Sequence, residues 1–391
     1  MNCAQTFECI YKNFPQDITF CPYRICPLGA HIDHQLGKIN GLAIDKGVYF
    51  AYKTKHSGIC ELHSVNFPGK RAQFHVDAIP ETRQGDWADH LRGAALKLGE
   101  QRKLRFGVAG VFEGDLPIGG LSSSTAVIIV FLSALCRVND INLTARELIL
   151  MAQAAENEYV GVNCGKLDQS CEVLCRKDHL LYLDTMDDSY ELIDTPKNMP
   201  PYQIAIFFSG LERSLANSQY NARQDECKAA AYALKALSGM PYGRFKDSRL
   251  RDVPPAVYHQ YGEQLPKAWK RRAEHFYSEL ARVEAGTEAW RKGNLKEYGR
   301  LVFESGYSSI YNYESGSEEL RTIYEIMRHT EGIYGGRFSG AGFKGCCMAL
   351  IDPAFAEEIE RRVTQEYMRA FPKLEGKYSF HLCESADGMT V

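Results

Sequence analysis

The apolar and polar positions of the chain form short strand-like runs that alternate with helical patterns. Alternating or continuous apolar runs predict strands at 18–26, 41–53, 106–112, 179–184, 202–208, 346–351 and 378–383. Helical spacing predicts a helix or arm at 1–15, helices at 86–98, 126–135, 144–159 and 353–371, and long amphipathic helical patterns at 214–240 and 264–330. A glycine-rich stretch at 332–345 precedes the strand at 346–351. Strands and helices are therefore mixed along the whole chain.

The character of the chain changes after Ser209, where short apolar runs give way to long charged helical patterns. A chain of 391 residues exceeds one comfortable hydrophobic core, so two domains are expected. We place the boundary between 208 and 209, which gives an N-terminal unit of residues 1–208 and a C-terminal unit of residues 209–391.

A glycine-serine turn links the strand at 106–112 to the helix at 126–135. Gly119 and Gly120 are followed by three hydroxyl side chains, Ser122, Ser123 and Ser124, at the start of the helix. Backbone N–H groups at a helix start favour an anion, and phosphate is the usual one. No Gly-Lys-Ser/Thr follows, so the stretch is not a Walker A loop. The simpler alternative is a helix capped by serine after a turn.

A polar loop follows the first strand. It contains His31, Asp33 and His34 between two glycines, and this composition is too polar for a buried element. We interpret it as a binding loop. The two histidines with Asp33 also allow a metal site, but no further ligand pattern occurs nearby in the sequence, which disfavours it.

Two carboxylates stand out further along the chain. The helix at 144–159 opens with a capping box at Thr144, and Glu156 lies at the margin of its apolar stripe. A carboxylate at that margin is usually solvated, although it can also reach a ligand. Asp168 follows a glycine turn, where the simpler interpretation is a helix N-cap.

Composition excludes several classes of function. The net charge of −3 argues against a general nucleic-acid or membrane surface, and no run is long enough to span a membrane. The N-terminus lacks a secretory pattern. The 13 cysteines include no Cys-x-x-Cys pair, which indicates reduced thiols. We therefore expect a cytoplasmic protein without nucleic-acid or membrane partners, whose oligomeric state the sequence leaves open.

Taken in order, these segments resemble the GHMP small-molecule kinases, and specifically the galactokinase branch. The resemblance extends over residues 15 to 391, and its motifs lie at 24–33, 87–93, 119–124, 164–169, 214–223, 271–275, 299–301, 338–347 and 385–388. It implies an α+β, two-domain GHMP kinase fold. The N-terminal domain would be of the ribosomal S5 domain 2-like type, and the C-terminal domain would be ferredoxin-like with extra helices. ATP and a sugar would meet in the cleft between the domains.

The resemblance also implies roles for individual residues. Asp168 would be the base that takes the proton from the sugar's anomeric hydroxyl, and Arg24 would keep that carboxylate ionised. Ser124 and Glu156 would hold Mg²⁺, a hard cation that prefers oxygen ligands. The ATP phosphates would be bound by Gly119, Gly120, Ser122, Ser123 and Ser124. The sugar would be bound by Ala30, His31, Asp33, the backbone at Gly165, and Tyr220.

One departure from the galactokinase pattern concerns the substrate. Galactokinases carry Gly-Glu-His-x-Asp in the first motif, where the Glu accepts a hydrogen bond from the C6 hydroxyl, but this chain has Ala30 there. Two like charges about 4 Å apart repel by roughly 4 kcal/mol at an effective dielectric near 20, so losing the Glu permits a C6 carboxylate. The motif wording is closest to the plant-type galacturonokinases. We therefore predict a sugar-acid 1-kinase acting on D-galacturonate.

Other possibilities remain open from sequence. Ala30 also makes steric room for another hexose or a pentose, so galactokinase and arabinokinase are alternatives. A non-catalytic sugar and ATP sensor is disfavoured, because the base and the metal pair are both present. Lys166 and Lys344 are candidate partners for a substrate carboxylate, although surface or phosphate-facing roles are the simpler interpretation of both. The central loop is one residue shorter than the usual Pro-x-Gly-x-Gly-Leu pattern.

Overall fold

The structure, a computed structural model, describes residues 2–211 and 218–389, without the side chains of Ser218 and Gln219. Its strands are β1 (Asp17–Ile25), β2 (Lys38–Lys55), β3 (Ile59–Ser64), β4 (Arg71–His75), β5 (Gly107–Gly114), β6 (His179–Asp184), β7 (Tyr190–Asp194), β8 (Gln203–Phe208), β9 (Ile333–Phe338), β10 (Cys346–Ile351), β11 (Ser379–Cys383) and β12 (Ser385–Ala386). Its helices are α1 (Cys3–Tyr11), α2 (Asp89–Gln101), α3 (Ser123–Val138), α4 (Ala145–Ala154), α5 (Leu167–Leu174), α6 (Ser218–Leu237), α7 (Pro255–Tyr261), α8 (Lys267–Arg291), α9 (Leu295–Tyr311), α10 (Glu318–Arg328) and α11 (Ala356–Ala370).

Each predicted strand is present, but the structure also contains several strands that the sequence pattern did not predict. β3 and β4 form a hairpin whose buried residues alternate, and β7 is a short strand beside β6. β9 lies in the glycine-rich stretch. The sequence pattern did not predict this strand, because glycines lack the side chains that distinguish a strand from a loop. The pattern at 264–330 divides into α8, α9 and α10.

The first sheet has the strand order β4-β3-β5-β2-β6-β7, with β1 and β12 also pairing with β2. Its pairs are antiparallel except β3 with β5. α3 packs against β1, β2 and β5, and α5 packs against β1 and β2. This arrangement brings the first turns of α3 and α5 to the end of β1, where the binding loop begins.

The second sheet is antiparallel, with the order β11-β8-β10-β9, and α9, α10 and α11 complete the C-terminal layer. The two-domain α+β fold is therefore present. The boundary at 208/209 remains a prediction. β8 lies on the N-terminal side of that boundary but pairs with β10 and β11, which favours a division before Gln203.

A helical layer joins the two sheets. α8 packs on α6, α9 and β2, and its Trp290 ring contacts the rings of Tyr202 and Tyr298. Among the described residues, none of the helices is both long and apolar enough to cross a membrane. The candidate site lies where the β1 end, the α3 and α5 starts, α6 and the β9–β10 loop converge.

Candidate active site

The turn before α3 has the backbone of an anion-binding loop. Gly119 and Gly120 have φ of 140° and 84°, and Ser122, the N-cap residue, has φ of 62°. The Ser122 side chain makes no capping bond, and its Oγ has no hydrogen-bond partner among the described residues. The first-turn N–H groups of a helix have no intrahelical acceptor. The simpler serine-cap interpretation therefore does not hold at Ser122.

The β9–β10 loop lies directly against this turn. A Cβ on Gly119 would stand 2.9 Å from the Gly345 Cα, and one on Gly120 would stand 2.8 Å from the Cys346 Sγ. The backbones of Gly119 and Gly345 approach so closely that neither position has room for a side chain. The central and C-terminal glycine motifs, more than 200 positions apart in the chain, thus form one surface.

Arg24 and Asp168 form an ion pair at the centre of the site. Arg24 donates from Nε and Nη2 to Asp168 Oδ1, at 2.9 and 2.8 Å. Its Nη1 donates to the Gly120 carbonyl at 3.0 Å and to the Ser339 Oγ at 3.4 Å. The Arg24 side chain is 4% exposed, whereas that of Asp168 is 27% exposed. The buried guanidinium therefore joins the carboxylate to both glycine loops.

Asp33 and Gly165 come together beside this pair. A Cβ at position 165 would lie 2.1 Å from Asp33 Oδ2, so only glycine fits there. The same oxygen accepts a hydrogen bond from the Leu167 N–H at 3.3 Å. Burial, and then the negative charge of Asp168, raises the pKa of Asp33 to about 6. Asp33 is thus a buried carboxylate held at the start of α5.

His31 lies in a left-handed backbone conformation, with φ of 66°, and stacks on the Tyr313 ring at 4.3 Å. Its Nε2 is buried and has no hydrogen-bond partner among the described residues. Burial, followed by the positive charge of Arg337, holds its pKa well below the ordinary value, so the imidazole is neutral. A neutral imidazole with a free ring nitrogen is suited to a sugar hydroxyl.

The next residues of the loop anchor it. His34 shares a hydrogen bond with the Tyr313 hydroxyl at 3.1 Å, and its ring meets that of Tyr220 edge-on at 6.3 Å. No group of three or more His, Cys, Asp or Glu side chains positioned for a metal occurs in residues 2–211 and 218–389.

Glu156 is more enclosed than the helical pattern indicates. α4 continues as a π-helical segment, Ala155–Val160, and the wider turn changes the direction of its side chains. The Glu156 carboxylate accepts hydrogen bonds from Ser124 Oγ at 3.2 Å, from Thr125 Oγ1 at 3.1 Å and from Gln169 Nε2 at 2.7 Å. Burial, and then the charge of Asp168, raises its pKa to about 7. Its position is therefore internal, and not at the margin of a stripe.

These residues surround a cavity of about 710 Å³. The predicted site residues that line it are Arg24, Ala30, His31, Asp33, Gly120, Ser122, Ser124, Glu156, Asp168 and Tyr220. Three predicted site residues are not part of the lining, although each is adjacent in sequence to a residue that is: Gly119, Ser123 and Gly165. The motif at 214–223 is described only from 218 onward, and residues 214–217 lie outside the described part.

The two lysines proposed for a substrate carboxylate differ in position. Lys344 lines the cavity, on the loop beside Gly345. Lys166 is absent from the lining and pairs with Asp188. Sequence reasoning also missed Thr125, Gln169 and Tyr313. Thr125 and Gln169 each directly follow a predicted site residue, Ser124 and Asp168, which was a signal for both, whereas Tyr313 had none.

Comparison with known families gives two matches along the chain. The family model described as GHMP kinases N terminal domain matches residues 89–176, and that described as GHMP kinases C terminal matches residues 287–370. The chain is 38% identical to the galacturonokinase of Arabidopsis thaliana, over 96% of this chain and 93% of that protein. It is 30% identical to the galactokinase of Roseiflexus sp. (strain RS-1), over 98% and 95% of the two proteins.

Solved structures show the same relationship. The galactokinase of Lactococcus lactis in complex with galactose superposes with a TM-score of 0.89 at 25% identity, covering 99% of this chain and 98% of that one. The mevalonate kinase of Methanococcus jannaschii superposes with a TM-score of 0.65 at 14% identity, covering 94% and 98%, and shares the fold.

Proposed function

The chain belongs to the GHMP kinase family, and from this we propose that it phosphorylates the anomeric C1 hydroxyl of D-galacturonate, giving α-D-galacturonate 1-phosphate. It is a sugar kinase, since its relatives over nearly the whole chain are a galacturonokinase and galactokinases. Kinases of this family use ATP as the phosphoryl donor.

The observation that carries the choice of sugar is the position of Ala30. Ala30 lines the cavity together with His31 and Asp33, where galactokinases have a glutamate. A glutamate there would repel a C6 carboxylate and accept a hydrogen bond from a C6 hydroxyl. Alanine removes both effects, and so favours a uronic acid over galactose. The 38% identity to a galacturonokinase supports the same choice.

ATP would place its phosphates against the glycine-serine turn. The helix start of α3 and the backbone of Gly119 and Gly120 provide N–H groups for phosphate oxygens. The Ser124 Oγ and the Glu156 Oε1 lie 3.2 Å apart. These two oxygens would fit a Mg²⁺ site, because Glu156 is a buried carboxylate with no ion pair in the described part of the chain. Bound there, Mg²⁺ would neutralise phosphate charge during transfer.

Asp168 would accept the hydrogen bond, and then the proton, of the C1 hydroxyl. Both of its bonds from Arg24 end on Oδ1, and its Oδ2 receives no hydrogen bond from the described residues. Arg24 would keep the carboxylate oriented. Asp33, His31 and Tyr220 would hold the remaining sugar hydroxyls. Catalysis would then consist of alignment, proton acceptance and charge neutralisation.

A sugar panel tests this function directly. Purified enzyme, ATP and Mg²⁺ are combined with D-galacturonate, D-galactose or L-arabinose, and ADP formation and the sugar 1-phosphate are measured. We expect kcat/KM for galacturonate to exceed that for galactose at least tenfold. A clear preference for galactose would refute the proposal and favour the galactokinase alternative, which the similarity to the Lactococcus lactis enzyme supports.

A further inference from the structure

The backbone of residues 29–31, in the binding loop, has an unusual conformation. Gly29 and His31 have positive φ, of 94° and 66°, on either side of Ala30. A positive φ is uncommon for a residue with a side chain, and it persists only where the surrounding structure holds the backbone. Ala30 and His31 both line the cavity. The contacts that hold this backbone therefore bear on how the sugar is bound.

Two side chains of α8 hold the segment. Glu279 Oε1 accepts a hydrogen bond from the Gly29 N–H at 2.8 Å, and His275 Nε2 lies 3.0 Å from the Ala30 carbonyl oxygen. The two contacts connect residues that are 250 and 245 positions apart in the chain. His275 and Glu279 are four positions apart, so they share one face of the helix. α8 thus holds the segment at two successive points.

The partners of His275 determine the tautomer of its ring. The Ala30 carbonyl can only accept a hydrogen bond, so the proton is on Nε2. Nδ1 then accepts from the Ser308 hydroxyl at 3.0 Å, and the Ser308 Oγ accepts from Asn312 Nδ2 at 3.2 Å. Burial lowers the pKa of His275 to about 4, so the ring is neutral at pH 7. The ring is therefore fixed from both sides, with its N–H on Ala30.

Glu279 is fixed equally well. It is fully buried, and its Oε1 also accepts from the Ser305 Oγ at 2.5 Å while its Oε2 accepts from Arg282 Nε at 2.8 Å. Burial opposes its ionisation, but the positive charge of Arg282 outweighs this and the pKa falls to about 2. The bond to the Gly29 N–H is consequently charge-assisted, which makes it one of the stronger kinds.

Neither α8 side chain lines the cavity, and the effect of His275 on the site passes through the backbone. The Ala30 carbonyl belongs to the peptide that leads into His31, so holding it fixes the plane from which the His31 side chain leaves. That ring stacks on Tyr313 at 4.3 Å, and its buried Nε2 has no hydrogen-bond partner among the described residues. A buried nitrogen without a partner is costly, and a sugar hydroxyl in the cavity would satisfy it.

We propose that His275 is a positioning residue for sugar recognition, which holds the Ala30 carbonyl, together with Glu279 at Gly29, so that Nε2 of His31 faces the sugar. This inference rests on the proposed function, because it assigns His31 to a sugar hydroxyl. A backbone contact does not discriminate between an acid and a neutral sugar, and His275 ends the motif at 271–275 that this chain shares with the galactokinase branch. Its loss should therefore weaken sugar binding and leave the nucleotide site intact.

The test compares His275→Asn with His275→Gln. The amide of glutamine reaches the place of the imidazole Nε2 and keeps a donor for Ala30, whereas that of asparagine reaches only the place of Nδ1, beside Ser308. KM for D-galacturonate and for ATP, and kcat, are measured for both variants. We expect His275→Asn to raise KM for the sugar at least tenfold and KM for ATP less than twofold. His275→Gln should stay within threefold of wild type for both. Equal losses in the two variants, or a parallel rise in KM for ATP, overturn the inference.

A second background shows whether His275 acts through His31. His31→Gly removes the ring and accepts the positive φ without strain. When two residues act through one contact, the effects of their substitutions are not additive. In the His31→Gly background we therefore expect His275→Asn to raise KM for the sugar less than threefold further. A further tenfold rise in that background would mean that His275 acts by another route, and would overturn the inference.

Ser308→Ala provides a milder variant if His275→Asn does not fold. It leaves the imidazole in place and removes the hydroxyl that fixes its orientation. KM for the sugar should rise at least threefold with KM for ATP within twofold, and an unchanged KM for the sugar overturns the inference. A wild-type enzyme that phosphorylates galactose but not galacturonate overturns the proposed function alone, and the same variants then test His275 with galactose.

Discussion

The guanidinium of Arg24 binds one oxygen of Asp168 through two nitrogens, at 2.9 and 2.8 Å, although the residues are 144 positions apart in sequence. The strand that carries Arg24 and the helix that begins at Leu167 are packed side by side, which brings the two groups together. The pair orients Asp168, whose side chain is 27% exposed, and a proton acceptor for a sugar hydroxyl requires both orientation and access.

Asp168→Asn should abolish most of the turnover. An amide is nearly the same shape but cannot accept the hydroxyl proton, and general base catalysis contributes about 10²–10⁴-fold. We expect kcat with galacturonate to fall at least a hundredfold, measured by ADP release, while the Kd for ATP measured by calorimetry changes little. Turnover at the wild-type rate in this variant would contradict the assigned role.

Gly165→Ala should damage sugar binding by displacing Asp33. The added Cβ would lie 2.1 Å from Asp33 Oδ2, far closer than a non-bonded contact allows. We expect KM for the sugar to rise at least tenfold while ATP binding is retained. Gly99→Ala is the matched control, because a Cβ there meets only Leu104, at 3.9 Å, and its kinetics should match wild type.

Ala30→Glu should reverse the sugar preference. A second negative charge beside the C6 carboxylate should lower kcat/KM for galacturonate roughly a hundredfold or more. The KM for ATP should stay within about twofold. Ala30→Gln separates the two explanations of the alanine, since it adds the same volume without charge. If glutamine reduces galacturonate turnover as severely as glutamate does, alanine serves only to make room.

Asp33→Asn should stabilise the protein in a pH-dependent way. Burial raises the pKa of Asp33 to about 6 from 3.8, so the folded state binds the proton more tightly than the unfolded state does. Stability attributable to Asp33 is therefore present at low pH and is lost as pH rises from about 4 to 6. At about 1.4 kcal/mol per pKa unit, the charged form costs on the order of 3 kcal/mol at pH 7.5.

Urea unfolding of the two proteins checks this expectation. The free energy of unfolding of Asp33→Asn should exceed that of wild type at pH 7.5, and the difference should shrink toward zero near pH 4. The variant should also bind sugar poorly, because it lacks the carboxylate. A stability difference that stays constant between pH 4 and 7.5 would exclude Asp33 as the titrating group.

Sequence patterns that span only a few residues were enough to predict much of the secondary structure. The capping box at Thr144 and Glu147 forms both of its predicted hydrogen bonds. The glycine-serine turn before α3 adopts positive φ at Gly119 and Gly120. Strand β9 was missed because its glycines lack the side chains on which a period-two pattern depends. Local conformation depends on near neighbours along the chain, and the sequence displays those directly.

By itself, the sequence determined the order and type of most elements, the family motifs, and the presence of Ala30 where galactokinases have a glutamate. Only the tertiary structure decided that Glu156 is enclosed by Thr125 and Gln169, that Lys166 pairs with Asp188, and that His31 stacks on Tyr313. Burial and charge pairing depend on residues that are distant in the chain, and no local pattern of apolar and polar positions contains that information.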